Sequence, residues 1–291
     1  MIISIGDIAI DLKDVSLSTL PKELVPYILS GKKSEGEIYG KKSDGVCFFS
    51  DFDIIASSDK TLFDSKTTWR VEDYGNTPAI CIYAGDNNKK LFQRLLLKDD
   101  LSEGEAWINK SLLEDGSLSF ALRQPLLELW YAFLLMSGRG ILVHGLAVLK
   151  DGLVNIFAGK SGAGKSTLGG VFHNENIGHI LSDDRVIIRK KEDGYYAYGT
   201  PWHGEARFAS NQYGKLDNIY FLNQAKLCSI TDMSGGKAAA SLFATTFIAG
   251  WPRDTGMQFV LNFCSDLTEQ ISIHRLNFTP DKQALKTLKY L

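Results

Sequence analysis

At 291 residues, 44% hydrophobic and 23% charged, the chain has the composition of a globular protein with room for one large domain or two ordinary ones. A net charge of −2 excludes a general electrostatic attraction to nucleic acid or to an anionic membrane surface. No apolar run reaches the ~18–20 residues that span a bilayer, because the longest, Leu126 to Met136, is too short and carries Glu128.

The N-terminus, Met1-Ile2-Ile3-Ser4-Ile5-Gly6-Asp7, has no basic region followed by an apolar core, so no signal peptide is expected. Residues 1–120 then read as short strands separated by turn clusters. Ile2 to Leu12 alternates apolar with polar residues, and 46–49, 80–83 and 118–122 are further candidate strands. Turns are expected at 43–45, 85–88 and 114–116, and a short helix at Pro21 to Leu29. Nothing in this stretch has catalytic spacing, and it reads as a β-rich N-terminal module for substrate selection or assembly. The four cysteines, Cys47, Cys81, Cys228 and Cys264, lie far apart with no C-x-x-C pair and no matching histidine spacing. They read as structural thiols of a reducing compartment, not as a zinc site, and a cytoplasmic location is expected.

Composition changes at Gln124-Pro125, which places a second domain at 121–291. Pro125 suits the first turn of a helix. Leu126, Leu127, Leu129, Trp130, Phe133, Leu134 and Leu135 make that helix apolar almost all round until Gly138, so it is expected to lie buried against the sheet of the second half. A strand over Ile141 to Leu149 follows, then a Lys150-Asp151-Gly152 hairpin turn and a strand over 153–158. Beyond it, strands are expected at 179–182, 186–189, 195–198, 219–222 and 271–274, and helices at 236–249, 257–264 and 282–290.

The hairpin strand runs into Gly159-Lys160-Ser161-Gly162-Ala163-Gly164-Lys165-Ser166-Thr167, a complete G-x-x-x-x-G-K-S loop, and a helix continues from Leu168. Its glycines let backbone N–H groups turn inward around a phosphate chain at a helix N-terminus, where the dipole also favours anions. In this motif Lys165 reaches the β- and γ-phosphates and the Ser166 hydroxyl ligates Mg²⁺. The spacing therefore predicts a nucleoside triphosphate site. An antiparallel hairpin feeding such a loop differs from doubly wound nucleotide-binding sheets, which reach theirs through helical crossovers.

Three further groups surround the loop. Asp183-Asp184-Arg185 follows an apolar strand eighteen residues after Lys165. Adjacent carboxylates at a strand end can divide two duties of phosphoryl transfer, one on the metal and one on the incoming hydroxyl; a plain polar turn is the alternative. His144, in the middle of the strand before the hairpin, could face the γ-phosphate or be an ordinary core histidine. The run Pro201-Trp202-His203-Gly204-Glu205-Ala206-Arg207 is a rigid turn bearing an imidazole, a carboxylate and a guanidinium. Arg207 suits transferring phosphoryl charge, and His203 or Glu205 could touch metal or substrate.

Together, His144-Gly145, Gly159 fifteen residues on, the Gly159–Ser166 loop and Asp183-Asp184-Arg185-Val186 resemble the C-terminal catalytic domain of HPr kinase/phosphorylase, over residues 125–210. More distantly, the loop and Asp pair are similar to ATP-dependent phosphoenolpyruvate carboxykinase. The resemblance implies an α/β fold of the α+β kind, a mostly antiparallel mixed sheet around a P-loop core. It implies ATP and Mg²⁺, with Asp183 as general base for a substrate hydroxyl, Asp184 and Ser166 on the metal, and His144 close to the transferring phosphate. HPr kinases assemble through this domain, so a homo-oligomer is compatible with it.

The glycine- and arginine-rich signature that follows the Asp pair in that family is absent, and Pro201-Trp202-His203-Gly204-Glu205 stands in its place. The chain looks closer to HPr-kinase-like proteins of bacterial peptide-modification gene clusters, some of which phosphorylate a peptide serine. The expectation is a Mg-ATP-dependent kinase acting on a serine of a peptide or small protein, with no nucleic-acid or membrane partner. Small-molecule phosphorylation, carboxykinase chemistry and a nucleotide-binding sensor without turnover are the alternatives.

Overall fold

A computed structural model of the chain describes residues 1–18, 20–29, 37–38, 41–52, 58, 60–84, 90–112, 122, 124–250 and 253–290. The protein is mixed α and β, with two mixed multi-stranded sheets and few helices. It divides into two compact units, Met1–Leu134 with Ala249–Arg253, and Leu135–Ile248 with Asp254–Leu291.

The first unit holds β1 (Ile2–Ile5), β2 (Ile8–Leu12), the separate short pair β3 (Glu37–Ile38) and β4 (Lys41–Lys42), β5 (Gly45–Phe52), β6 (Thr61–Asp64), β7 (Trp69–Asp73), β8 (Pro78–Ala84), β9 (Lys90–Leu97) and β10 (Glu103–Asn109). Its sheet runs β1-β2-β5-β10-β9-β8-β7-β6, parallel where β5 meets β2 and β10 and antiparallel elsewhere. The strands expected at 46–49 and 80–83 lie within β5 and β8. The helix expected at Pro21 to Leu29 is a 3₁₀ turn, Lys22–Tyr27, with Pro26 inside it; a proline lacks the N–H that an α-helix needs there. Residues 118–121 of one expected strand and the turns expected at 85–88 and 114–116 lie outside the described residues.

Helix α1 (Leu126–Leu134) is buried along its whole length, as its composition requires. It belongs to the first unit and packs on β8 and β9, which corrects the expectation that it covers the second sheet. Two glycines make room for it: a Cβ on Gly45 or Gly104 would come within 3.3 Å of the Trp130 ring. Trp130 Nε1 donates to the Leu101 carbonyl (3.3 Å) and the Tyr131 hydroxyl to that of Ile8 (3.0 Å). The division of the chain accordingly falls after Leu134, beyond the 120/121 boundary read from composition.

The second unit contains β11 (Ile141–Lys150), β12 (Leu153–Ala158), α2 (Lys165–Asn174), β13 (His179–Ser182), β14 (Arg185–Lys191), β15 (Gly194–Tyr198), β16 (Tyr213–Gln224), β17 (Ser229–Met233), α3 (Gly235–Thr245), α4 (Arg253–Gln270), β18 (Ser272–Phe278) and α5 (Lys282–Thr287). The strand order is β12-β11-β14-β15-β16-β18-β17, with β13 beside β11. β12 also pairs with β16, which closes β12, β11, β14, β15 and β16 into a ring. Only β12–β16 and β16–β18 are parallel among the described pairings of this sheet.

The hairpin turn fixes the register that matters for the site. Asp151 and Gly152 both have positive φ (53° and 82°), the conformation of a two-residue turn that matches strand twist. Lys150 therefore pairs with Leu153 and, farther up, Gly145 with Ala158, so His144 stands beside the start of the glycine-rich loop. Below the loop, Phe157, Phe172, Leu168, Leu276 and Phe278 form a core between sheet, α2 and α5, with the Phe157 and Phe172 rings 5.4 Å apart. This core holds the loop's flanking strand and helix in place.

Candidate active site

The glycine-rich loop leaves β12 and enters α2. Gly162 and Gly164 have φ of +79° and +101°, values that a side-chain-bearing residue adopts only with strain. At Gly164 the constraint is doubled, because a Cβ would lie 2.5 Å from the Phe278 ring. The Lys165 side chain is buried (6% exposed) and folds back over the loop, its Nζ donating to the carbonyls of Gly159 (2.8 Å) and Lys160 (3.2 Å). Burial, with the Arg185 charge, lowers the Lys165 ammonium below its ordinary value against the opposing pull of Asp184.

The Asp pair interrupts a continuous pairing line. β13 and β14 both run antiparallel to β11, and the break between them, Asp183-Asp184, falls opposite Gly145 and Leu146, next to the His144–Arg185 pair. The Ser182 hydroxyl accepts N–H bonds from Asp184 (3.2 Å) and Arg185 (3.1 Å), and the Gly145 N–H reaches the Asp184 carbonyl (3.0 Å). This kink turns both carboxylates towards the loop. His144 Nε2 is 2.8 Å, and Arg185 Nη1 3.0 Å, from Asp184 Oδ1. Burial alone pushes the Asp184 carboxyl up, but the His144 hydrogen bond and the charges of Arg185, His144 and Lys165 outweigh it and hold the group below the usual carboxylate range.

Asp183 is buried (3% exposed) and spends both oxygens on the turn that follows β15: Gly204 N–H reaches Oδ1 (2.9 Å) and Ala206 N–H reaches Oδ2 (3.0 Å). The spacing left no hint of this duty. Gly204 sits so close that a Cβ there would be 3.0 Å from Asp183 Oδ2. Each carboxylate oxygen keeps a further lone pair, so the two N–H bonds hold Asp183 without exhausting its acceptor capacity.

A cavity of about 460 Å³ brings these groups together. His144, Lys165, Ser166, Thr167, Asp183, Asp184 and Glu205 line it, along with Ser161, Gly162, Gly164, Gly204 and Gln224. Gly159, Lys160 and Ala163 face a neighbouring cavity, as does the Ser161–Gly162 turn. His203 and Arg207 line neither; the His203 Nδ1 bonds to the Gly204 carbonyl (3.0 Å), and Arg207, exposed, has a φ of +59°. Gln224 was not anticipated. Its Nε2 donates to the Gly162 carbonyl (3.1 Å), and it stands at the C-terminal end of β16, which runs parallel to β12 and so ends on the side where the loop leaves β12.

Among the described residues, no group of three or more His, Cys, Asp or Glu side chains is placed to hold a metal ion, and no helix is long and apolar enough to cross a membrane. One carboxylate and one hydroxyl, Asp184 and Ser166, do line the same cavity. That sparse set fits Mg²⁺, which keeps several waters and binds through one or two protein groups plus substrate phosphates. No protein-family model matches the chain, and no curated protein matches it.

Proposed function

We propose that the second unit is a P-loop kinase of the HPr-kinase-like kind, transferring the γ-phosphoryl group of ATP to a hydroxyl, that of a serine on a peptide or small protein. One observation carries this reading: a buried lysine, an ionised aspartate and a second, buried aspartate converge on one cavity around a glycine-rich helix N-terminus. Phosphoryl transfer asks the protein chiefly for position and charge, and these residues supply both.

In this reading the loop amides and Lys165 bind the phosphate chain, Lys165 exchanging its bonds to Gly159 and Lys160 for phosphate oxygens. Mg²⁺, held by Asp184, Ser166 and the phosphates, would neutralise charge on the leaving group. His144 and Arg185 keep Asp184 ionised and oriented. Asp183 accepts the proton of the acceptor hydroxyl as its oxygen bonds to the γ-phosphorus; the bond from that phosphorus to the β,γ-bridging oxygen breaks, and ADP leaves with the electron pair. Glu205, exposed at the cavity edge, stands where the acceptor would enter. Arg207 and His203 reach neither cavity and serve the turn's geometry in this arrangement. Phosphotransfer with Asp183→Asn tests the assignment, and loss of transfer with nucleotide binding intact is expected.

A further inference from the structure

Resting on the kinase reading, we propose that the protein phosphorylates one of its own residues, Ser241 of helix α3. Ser241 and Thr245, one turn apart on that helix, line a cavity of about 520 Å³ together with Gly159 and Lys160 at the start of the glycine-rich loop. That end of the loop belongs to the reacting phosphates. Lys165, which reaches the β- and γ-phosphates in this motif, holds its Nζ on the Gly159 and Lys160 carbonyls (2.8 and 3.2 Å). The cavity shares Ser161, Gly162 and Gln224 with the one that holds Asp183 and Asp184, so a γ-phosphate at the loop start adjoins both the helical hydroxyls and the aspartates. Helix α3 is fixed there by its C-terminal end: Thr246 bridges to Val143, and the Phe247 N–H donates to the Leu142 carbonyl (2.7 Å), on the strand that carries His144.

The chemistry singles out Ser241 of the two hydroxyls. Its proton is held by the Lys237 carbonyl (2.8 Å), which leaves the oxygen lone pairs free for attack. A phosphate formed there meets the ammonium of Lys237, exposed and one turn towards the helix N-terminus, and that of Lys160 in the cavity. Thr245 is the last residue of α3, where the carbonyl end of the helix dipole opposes an added dianion. The turn carrying Ser241 has room to move towards the loop, because α3 opens on Gly235-Gly236 and buries only Ala238 and Leu242. In the step, Ser241 Oγ bonds to the γ-phosphorus as Asp183 takes its proton. The bond from that phosphorus to the β,γ-bridging oxygen breaks, and ADP leaves with the electron pair.

The test incubates wild type and Ser241→Ala with Mg²⁺ and γ-labelled ATP, without an acceptor, at several protein concentrations, and maps the phosphate by mass spectrometry. Parallel samples receive cell extract. The expected result is phosphate on Ser241 of wild type, gained with a first-order rate constant independent of protein concentration, and at least tenfold less label on Ser241→Ala. Phosphate on another residue, or equal label on Ser241→Ala, overturns the inference. So does a rate constant that rises with protein concentration, which marks transfer between molecules. A wild type that labels extract but not itself overturns the inference while leaving the kinase reading intact, and one that labels neither overturns both. Should Ser241→Ala misfold and label nothing, the site mapped on wild type decides: Ser241 supports the inference, and any other residue overturns it.

Discussion

His144 and Asp184 meet at 2.8 Å across the break between β13 and β14. The contact follows from the register of β11 against β14, in which His144 pairs with Arg185, and from the break that Ser182 stabilises in the strand line just before it. A histidine inside an apolar strand is thereby tied to the acidic pair instead of to the core.

That tie has a pH consequence. Because Asp184 is held below its ordinary value of about 3.9 in the folded protein, the unfolded chain binds its proton more tightly. Its stabilising contribution is complete above the unfolded value and is lost as pH falls through the folded one. Metal-free urea unfolding of wild type and Asp184→Asn at several pH values between 7 and 3 measures this. The stability gap between them is expected to narrow towards pH 3; a gap independent of pH would contradict the assignment.

In the proposed mechanism Asp183 accepts a proton as well as holding the 204–206 turn, and two variants separate these duties. Asp183→Asn removes the proton acceptor and one of two N–H acceptors, whereas Gly204→Ala crowds the same carboxylate (3.0 Å to Oδ2) but keeps it. Transfer is expected to fall by about 10²–10⁴-fold in the asparagine variant, the scale of a lost general base. In Gly204→Ala it should fall less. Equal losses in both would assign Asp183 a positioning role alone.

Lys165 illustrates a site residue that costs its own fold. Its ammonium is disfavoured by burial, so Lys165→Met is expected to change unfolding free energy by no more than about 1 kcal/mol. Nucleotide affinity should fall by more than tenfold. A large stability loss with unchanged affinity would reverse the reading.

Gly164 is constrained twice, by its φ of +101° and by the Phe278 ring 2.5 Å from its would-be Cβ. Gly164→Ala is expected to cost about 1–3 kcal/mol from backbone strain, with further loss from the ring clash, read as a shift in the urea midpoint at constant slope. An unchanged midpoint would show that the loop can be rebuilt around a side chain.

Much of this site was legible in the chain because it is local. The strand 153–158, the loop and the following helix are contiguous, and the Lys150-Asp151-Gly152 turn announces its hairpin. What the sequence hid is long-range. Parallel pairing of β12 with β16, some sixty residues apart (Ala158 opposite Phe221), brings Gln224 to the loop, and no periodicity records a partner so distant. Likewise α1 is apolar on every side, which announces burial but not which sheet supplies it.

Helix ends failed for local reasons. α3 stops at Thr245 because Phe247 N–H leaves to bond the Leu142 carbonyl (2.7 Å). α4 extends to Gln270, beyond the 257–264 span read from sequence, although Val260, Phe263, Cys264 and Leu267 keep a helical stripe buried past Cys264. β17 carries only Ile230 and Met233 as apolar residues, too few to stand out as a strand.

The most direct test of the central claim is transfer itself: γ-labelled ATP with Mg²⁺ is incubated with wild type and with Asp183→Asn, against cell extract split into protein and small-molecule fractions. The account predicts label on a discrete peptide or protein, absent with the variant. Label confined to small molecules would contradict the peptide acceptor, and nucleotide bound without transfer to either fraction would contradict the kinase itself.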